Sequence, residues 1–266
     1  MKKLLVLLAI ATLVCSSCAQ KSAYPKAEGS IRLLQYNVGA FGKYMENSTE
    51  MIAAMIQELD ADIVSLNEVD SCNRRHNTFQ SADLAQALGG WCQTYGRAMA
   101  YKGGAYGNAI VSRETFTPGG TIALEKGEGS EYRSGVIAET ERFVFVSTHL
   151  DHKNHEACLN QARQLSETVK ARYEGCGKPV FLAGDMNSKP TNEVISLLQE
   201  YWDIITVTDG PTCPCPNPKS CIDYIMILKG GPSCKVLQSA VANEFKNGNV
   251  ETASDHYPIF VDVVLE

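Results

Sequence analysis

Val180-Phe181-Leu182-Ala183-Gly184-Asp185-Met186-Asn187 is an apolar run that stops on a glycine and then presents an acid and an amide. An uninterrupted apolar run of this length, bounded by turn residues, reads as a strand buried on both faces. The polar residues after it fall in the loop at the strand end, where sites are assembled. Working outward, the same construction recurs. Ile31 to Tyr36 ends on Tyr36-Asn37, Ile63 to Leu66 on Asn67-Glu68, and Phe143 to Ser147 on Thr148-His149, while Asp255-His256 precedes Tyr257 to Val264. Ala109 to Val111, Gly135 to Ala138 and Ile222 to Leu228 complete a set of expected strands. Helical patterns lie between them. Asn47 with Glu50 suggests a capping box before Met51, Ile52, Met55, Ile56 and Leu59, a second helix follows Asn154, and a third spans Phe79 to Leu88. Strands mixed with helices, and no repeat, indicate one layered α/β (α+β) domain.

Composition agrees with a single sizeable core: 266 residues, 44% hydrophobic and 20% charged. Net charge is −6 with acids and bases interspersed, which is not the basic footprint of a protein that grips a phosphate backbone. The beginning is different in kind. Lys2, Lys3, the apolar stretch Leu4 to Val14 and Cys15-Ser16-Ser17-Cys18 resemble an export signal with a lipoprotein-type cysteine, Cys18 being the expected lipidated residue. The expected organisation is therefore a signal at 1–18, a tether at 19–29 and a catalytic domain at 30–266. Anchoring would place the chain in a bacterial cell envelope, as a monomer. Eight cysteines remain after the signal, an even number that in an exported chain suggests disulfides. The spacing C-x-C-x5-C-x12-C from Cys213 to Cys234 lacks the C-x2-C pairs of a zinc site. Asp209 to Ser220, with four prolines and two cysteines, reads as an irregular loop.

A strand-end Asp or Asn is ordinarily a turn former, and a lone His is ordinarily structural. Five such strand ends together are harder to explain that way. Glu68, Asp185, Asn37 and Asn187 are hard oxygen donors without thiolates, which suits Mg²⁺ or Mn²⁺. His149 and His256 can donate to a phosphate, and Asp255 can hold an imidazole in one tautomer. With no Gly-rich phosphate loop and no G-x-S-x-G elbow, water is the expected nucleophile.

These segments resemble the endonuclease/exonuclease/phosphatase family over Ile31 to Glu266. The motifs, in family order, are QYNVGAFG (35–42), LNEVD (66–70), YGNAIVSR (106–113), EYRSG (131–135), STHLDH (147–152), LAGDMN (182–187), CIDYI (221–225) and SDH (254–256). The resemblance implies a four-layer sandwich of two mixed β-sheets with helices outside, and a divalent-metal-dependent phosphoesterase. It also implies roles. Glu68 would be the principal metal ligand with Asn37 beside it, Asp185 would orient or deprotonate the water, and Asn187 would hold the phosphate. His149 would bind a phosphoryl oxygen, and His256, paired with Asp255, would contact the scissile phosphate. Asp223 would support the histidine or the metal, or else be a buried structural acid. Asn108 and Arg133 would sit at the rim with His152, while His155 would line the pocket or lie solvated on its helix. Gly39 stands where some nuclease branches carry an acid, which argues against a second metal. A small or surface-presented phosphate ester is the favoured substrate. An endonuclease acting on DNA or RNA, or a binding protein that kept the fold, are the alternatives.

Overall fold

The protein is described by a computed structural model covering residues 22–266; the expected signal, with Cys18, and the first residues of the expected tether lie outside the described residues. Twelve strands are β1 Ile31–Asn37, β2 Ile63–Ser71, β3 Cys92–Tyr101, β4 Gly104–Ser112, β5 Thr117–Leu124, β6 Arg133–Glu139, β7 Val144–His149, β8 Val180–Asp185, β9 Trp202–Ile204, β10 Asp223–Leu228, β11 Cys234–Val241 and β12 Ile259–Leu265. The helices are α1 Thr49–Glu58, α2 Gln80–Ala87, α3 His155–Tyr173, α4 Glu193–Tyr201 and the short α5 Val250–Ala253. One sheet has the order β11-β12-β1-β2-β4-β3 and the other β5-β6-β7-β8-β10-β9. Both are mixed, β1–β2 and β7–β8 being their parallel pairs.

Alternation along each strand builds the layers, because successive side chains point to opposite faces. In β1, Leu34 and Tyr36 join Ile52, Met55 and Ile56 of α1 in one core. Ile31 and Leu33 instead meet Phe143, Phe145, Phe181 and Ile225 of the other sheet. A third core packs Leu165 and Val169 of α3 and Ile195 and Leu198 of α4 on the far face of the second sheet. The order is helix, sheet, sheet, helix, as the family resemblance implies.

The layer between the sheets changes character along its length. β1 presents Ile31, Leu33, Gln35 and Asn37; β2 presents Ile63, Ser65 and Asn67; β8 presents Phe181, Ala183 and Asp185; β10 runs the other way from Asp223 to Ile225. All of these are buried, and along the layer hydrocarbon gives way to small hydroxyls and then to amides and acids. Ser65 Oγ donates to Ser147 Oγ across the sheets at 2.7 Å at the changeover.

Three features differ from expectation. Residues 24–27, expected within a tether, are packed. Tyr24 stacks edge-on against Phe260 and bonds Asn243, and Ala27 N–H donates to Asp262 at 2.8 Å. The expected disulfides are absent among the described residues, where all eight cysteines are free thiols. They come from several elements and more than one core. Cys158 and Cys221 belong to the core under α3 and α4, Cys215 to the core under α1, and Cys158 and Cys215 donate to the Met186 and Val250 carbonyls. The α1 cap also differs. Ser48 occupies the N-cap, and Asn47 Oδ1 accepts from Thr49 N–H at 2.9 Å.

At the opposite end of the sandwich, fully buried Arg32 grips Asp262 through Nε (2.6 Å) and a second nitrogen (2.8 Å) and donates to the Leu59 carbonyl. Burial alone would raise the Asp262 pKa, but Arg32, Ala27 N–H and Gln238 outweigh it and hold the carboxyl below its usual value. Asp262→Ala, which strands the guanidinium, should cost about 3–5 kcal/mol in urea unfolding near neutral pH. A depressed folded pKa gives stability that is present above the unfolded value and lost as pH falls through the folded one. The gap between wild type and variant should therefore shrink below about pH 3.9.

Candidate active site

The polar end of the inter-sheet layer is where the strand-end residues converge. Strand register accounts for much of this. His149 and Asp185 are partners across β7–β8, Asp185 and Asp223 across β8–β10, and Asn37 and Asn67 across β1–β2. Beneath them lies a network that joins the sheets. Asn67 Oδ1 accepts from Gln35 Nε2 (2.6 Å) and Asp185 N–H (3.0 Å), while its Nδ2 donates to Asn108 Oδ1 (3.0 Å) and the Thr148 carbonyl (2.8 Å). All four positions of that amide are filled.

A bulge makes this possible. Pairing of β2 with β4 shifts register between Leu66 and Val69, and Glu68 takes a left-handed φ of 59°. Bulges of this kind re-aim side chains beside sites, and a non-glycine residue in that region carries strain. Half-buried Glu68 thereby reaches Asn37, whose Nδ2 lies 3.2 Å from Glu68 Oε1 and 3.0 Å from Asp185 Oδ2. Asn37 Oδ1 accepts from Gly39 N–H at 3.1 Å. Asn187, also left-handed (φ 48°), donates its backbone N–H to Asp185 Oδ1 and its Nδ2 to the Leu150 carbonyl.

His256 is held by Asp223 and not by Asp255. Its Nδ1 is 2.8 Å from Asp223 Oδ2, whereas Asp255 Oδ2 turns to Lys43 Nζ at 2.8 Å. Neighbouring residues project in different directions, so the acid next in sequence is badly placed and the one supplied by β10 is well placed. Asn108 is also reassigned. It is buried below the site rather than at the rim, with its amide engaged by Asn67 and the Ser134 carbonyl. Arg133 is buried beside His149, and its guanidinium reaches exposed His152 Nδ1 (3.0 Å) and Glu131 (3.2 Å), which also meets Lys153 (2.5 Å). His155 is solvent-exposed and near Glu193, away from the cluster.

Charge states follow from burial and neighbours. Burial opposes a charge on His256, but Asp223 and Asp185 overcome it and raise its pKa well above the ordinary value. His149 is pushed the other way, by burial first and then by Arg133, His256 and His152, so it is neutral. The Asp185 carboxyl is pushed up to about 7 by burial and by Asp223, against the pull of His256, Asn187 and Asn37. Its Oδ2 lies 3.5 Å from His149 Nε2 and 3.6 Å from His256 Nε2. The site therefore contains a charged imidazolium donor, a neutral imidazole and a carboxyl poised to take a proton near neutral pH.

The donor set fits a hard divalent cation. Glu68, Asp185 and Asp223 are carboxylates that form no ion pair with a lysine or arginine among the described residues, and Glu68 Oε1 and Asp185 Oδ2 both lie against the Asn37 amide. Carboxylate and amide oxygens grouped in this way can hold a divalent cation. Gln35 is a part that sequence reasoning did not single out, and Asn67 was named only as a strand end; of the two supporting roles implied for Asp223, the histidine is the one it meets here, at His256. Gln35 and Asn67 did carry a signal, as polar residues on the otherwise apolar inward face of their strands.

The sequence model of the Endonuclease/Exonuclease/phosphatase family matches residues 34–256. No curated protein matches the chain in sequence. Among solved structures, a mannosyl-6-phosphatase of Bacteroides thetaiotaomicron is similar with a TM-score of 0.70 at 22% identity, covering 88% of this chain and 100% of that one. An endonuclease/exonuclease/phosphatase family protein of the same organism gives 0.69 at 22%, covering 92% and 97%. The human Nocturnin catalytic domain with bound sulfate gives 0.66 at 20%, covering 89% and 94%. At these identities the likeness is one of fold.

The corrected pairing separates two neighbouring acids by experiment. Asp223→Asn should lower kcat by about a hundredfold or more with the folded content unchanged. Asp255→Asn, which loosens only Lys43, should cost less than about tenfold under the same assay. Equal losses would return His256 to Asp255.

Proposed function

This chain belongs to the endonuclease/exonuclease/phosphatase family, and from that premise we propose that it hydrolyses a small phosphate ester by in-line attack of water. The supporting observation is the juxtaposition of the Asp223–His256 pair with Asp185 and the cationic group at Arg133. Asp185, raised to about 7, orients the water and takes its proton. His256 donates Nε2–H to a phosphoryl oxygen while Asp223 holds Nδ1, and neutral His149, whose Nε2 faces the same Asp185 oxygen, offers a second donor. Glu68, with Asn37, would hold the divalent ion, which when bound offsets charge on the phosphoryl and leaving oxygens. Arg133 carries a buried Nε with no hydrogen-bond partner, so this corner, where Arg133 and Lys153 stand beside the carboxylates of Glu131 and Asp151, keeps one guanidinium donor unused. Such a corner suits the terminal oxygens of a phosphomonoester.

Substrate size is argued from charge. Arg75, a base near the site, is chelated by Asp70 and lies over Tyr101, and Lys43 is paired with Asp255. A net charge of −6 with so few uncommitted bases does not make the array of phosphate contacts that long duplex DNA requires. The fold relative named as a mannosyl-6-phosphatase makes sugar phosphates the first class to test. We also carry forward export with lipid on Cys18, on the strength of the leader composition. Mass spectrometry of the membrane-extracted protein should find a chain beginning at a lipidated Cys18, and an unprocessed N-terminus would refute it.

With Mg²⁺ present, kcat/KM for sugar phosphates should exceed that for plasmid nicking at physiological salt, and excess EDTA should abolish both. Robust nicking by nanomolar enzyme with no turnover of the small esters would establish the endonuclease instead. Full activity in EDTA would remove the metal.

A further inference from the structure

The proline-rich segment 209–220 has no regular secondary structure beyond one isolated bridge between Cys213 and Ser220, and no motif points to it. It is nevertheless stitched to both members of the Asp223–His256 pair. Thr212 and Cys213 N–H groups donate to the Ser220 carbonyl, and Lys219 and Ser220 return bonds to Cys213, which makes a tight loop. That loop brackets His256 through the backbone, since Tyr257 N–H donates to the Thr212 carbonyl (2.8 Å) and Cys215 N–H to the Asp255 carbonyl (2.7 Å). From the same loop the Thr212 hydroxyl donates to Asp223 Oδ2 at 2.6 Å, the oxygen that His256 Nδ1 meets at 2.8 Å.

The geometry points to Thr212 as a positioning residue for the hydrolytic site: its hydroxyl fixes the rotation of the Asp223 carboxylate and through it the aim of His256 Nε2. This rests on the phosphoesterase reading above. A carboxylate that can turn about its bond to Cβ offers no fixed direction to an imidazole. Asp223 is locked at two points besides the histidine, by Gln35 Nε2 on Oδ1 (3.1 Å) and by Thr212 on Oδ2. Gln35 comes from the facing sheet and Thr212 from the loop, so neither follows the other if one shifts. The hydroxyl has the proton to give. It accepts from Ile222 N–H (3.3 Å), and its competing acceptor, the Ser220 carbonyl, is farther away at 3.4 Å. Thr212 has no exposed surface, so water cannot take over the bond. It does not touch the reacting atoms, and its effect passes through Asp223.

Thr212→Val keeps the shape and deletes the donor, and Thr212→Ser keeps the donor and deletes the methyl. With a phosphate ester that wild type turns over in Mg²⁺, Thr212→Val should lower kcat by about tenfold to a hundredfold, as loss of a supporting hydrogen bond does at a comparable site. KM should stay within about twofold, and Thr212→Ser should recover most of the rate. The loss should also disappear in an Asp223→Asn background, because residues that act as one unit are not additive. If Thr212→Val does not fold, Thr212→Ala replaces it in the same cycle. Wild-type kcat in the donor-less variant, failure of serine to restore the rate, or fully additive losses with Asp223→Asn would each overturn the assignment. Absence of phosphoesterase activity in wild type would instead sink the function on which it rests.

Discussion

The amide of Asn67 is the joint on which the rest of the site depends. Its four hydrogen bonds reach β1, β4, β7 and β8, so one buried side chain holds strands of both sheets at a fixed separation and register. An amide in such a place is stable only when every donor and acceptor is matched, because each unmatched group costs about 1–3 kcal/mol. The match here is complete. It requires the bulge that leaves Asn67 and Glu68 outside the β2–β4 ladder, and the same bulge delivers Glu68 to Asn37. Structural support and the acidic site thus come from one irregularity in one strand.

The gradient between the sheets explains why reactive groups can be buried here at all. A charged pair in a hydrocarbon layer would be strongly disfavoured. Asp223, His256 and Asp185 instead rest on a floor of side-chain amides and a backbone carbonyl formed by Gln35, Asn67, Asn108 and Thr148. That floor supplies hydrogen bonds in place of water while keeping the side chains rigid. The opposite shifts of the two histidines that face Asp185 follow directly: His256 is flanked by two acids, while His149 is shifted by burial and by cations. A site with one charged and one neutral imidazole can donate at two points while leaving Asp185 to accept.

Strand legibility divided along a physical line. Each of the eight strands anticipated from apolar runs is present, and the four not anticipated, β3, β5, β9 and β11, are the edges of the two sheets. Inner strands are buried on both faces and write a continuous apolar run. Edge strands are half-exposed, as in the Cys234–Val241 pattern, and carry glycine and proline as β5 does, so their sequences resemble loops. Helix α4 escaped notice for want of a distinctive start, although its Asn192 caps it by accepting from Val194 N–H.

By itself the sequence determined the family, the inner strands, the polar strand ends and the oxygen-donor chemistry, because these are properties of local runs and of motifs in order. Partnership was left to the tertiary structure. Asp255 stands next to His256 in the chain, yet the imidazole takes Asp223, thirty-three residues earlier, because β10 brings that acid into register with Asp185 while the backbone turns Asp255 toward Lys43. Asn108 moved from the rim to the floor, and the cysteines stayed unpaired, for the same reason. Hydrogen bonds of 3 Å or less are set by strand register, bulges and sheet separation, and those depend on contacts between segments that sequence proximity does not encode.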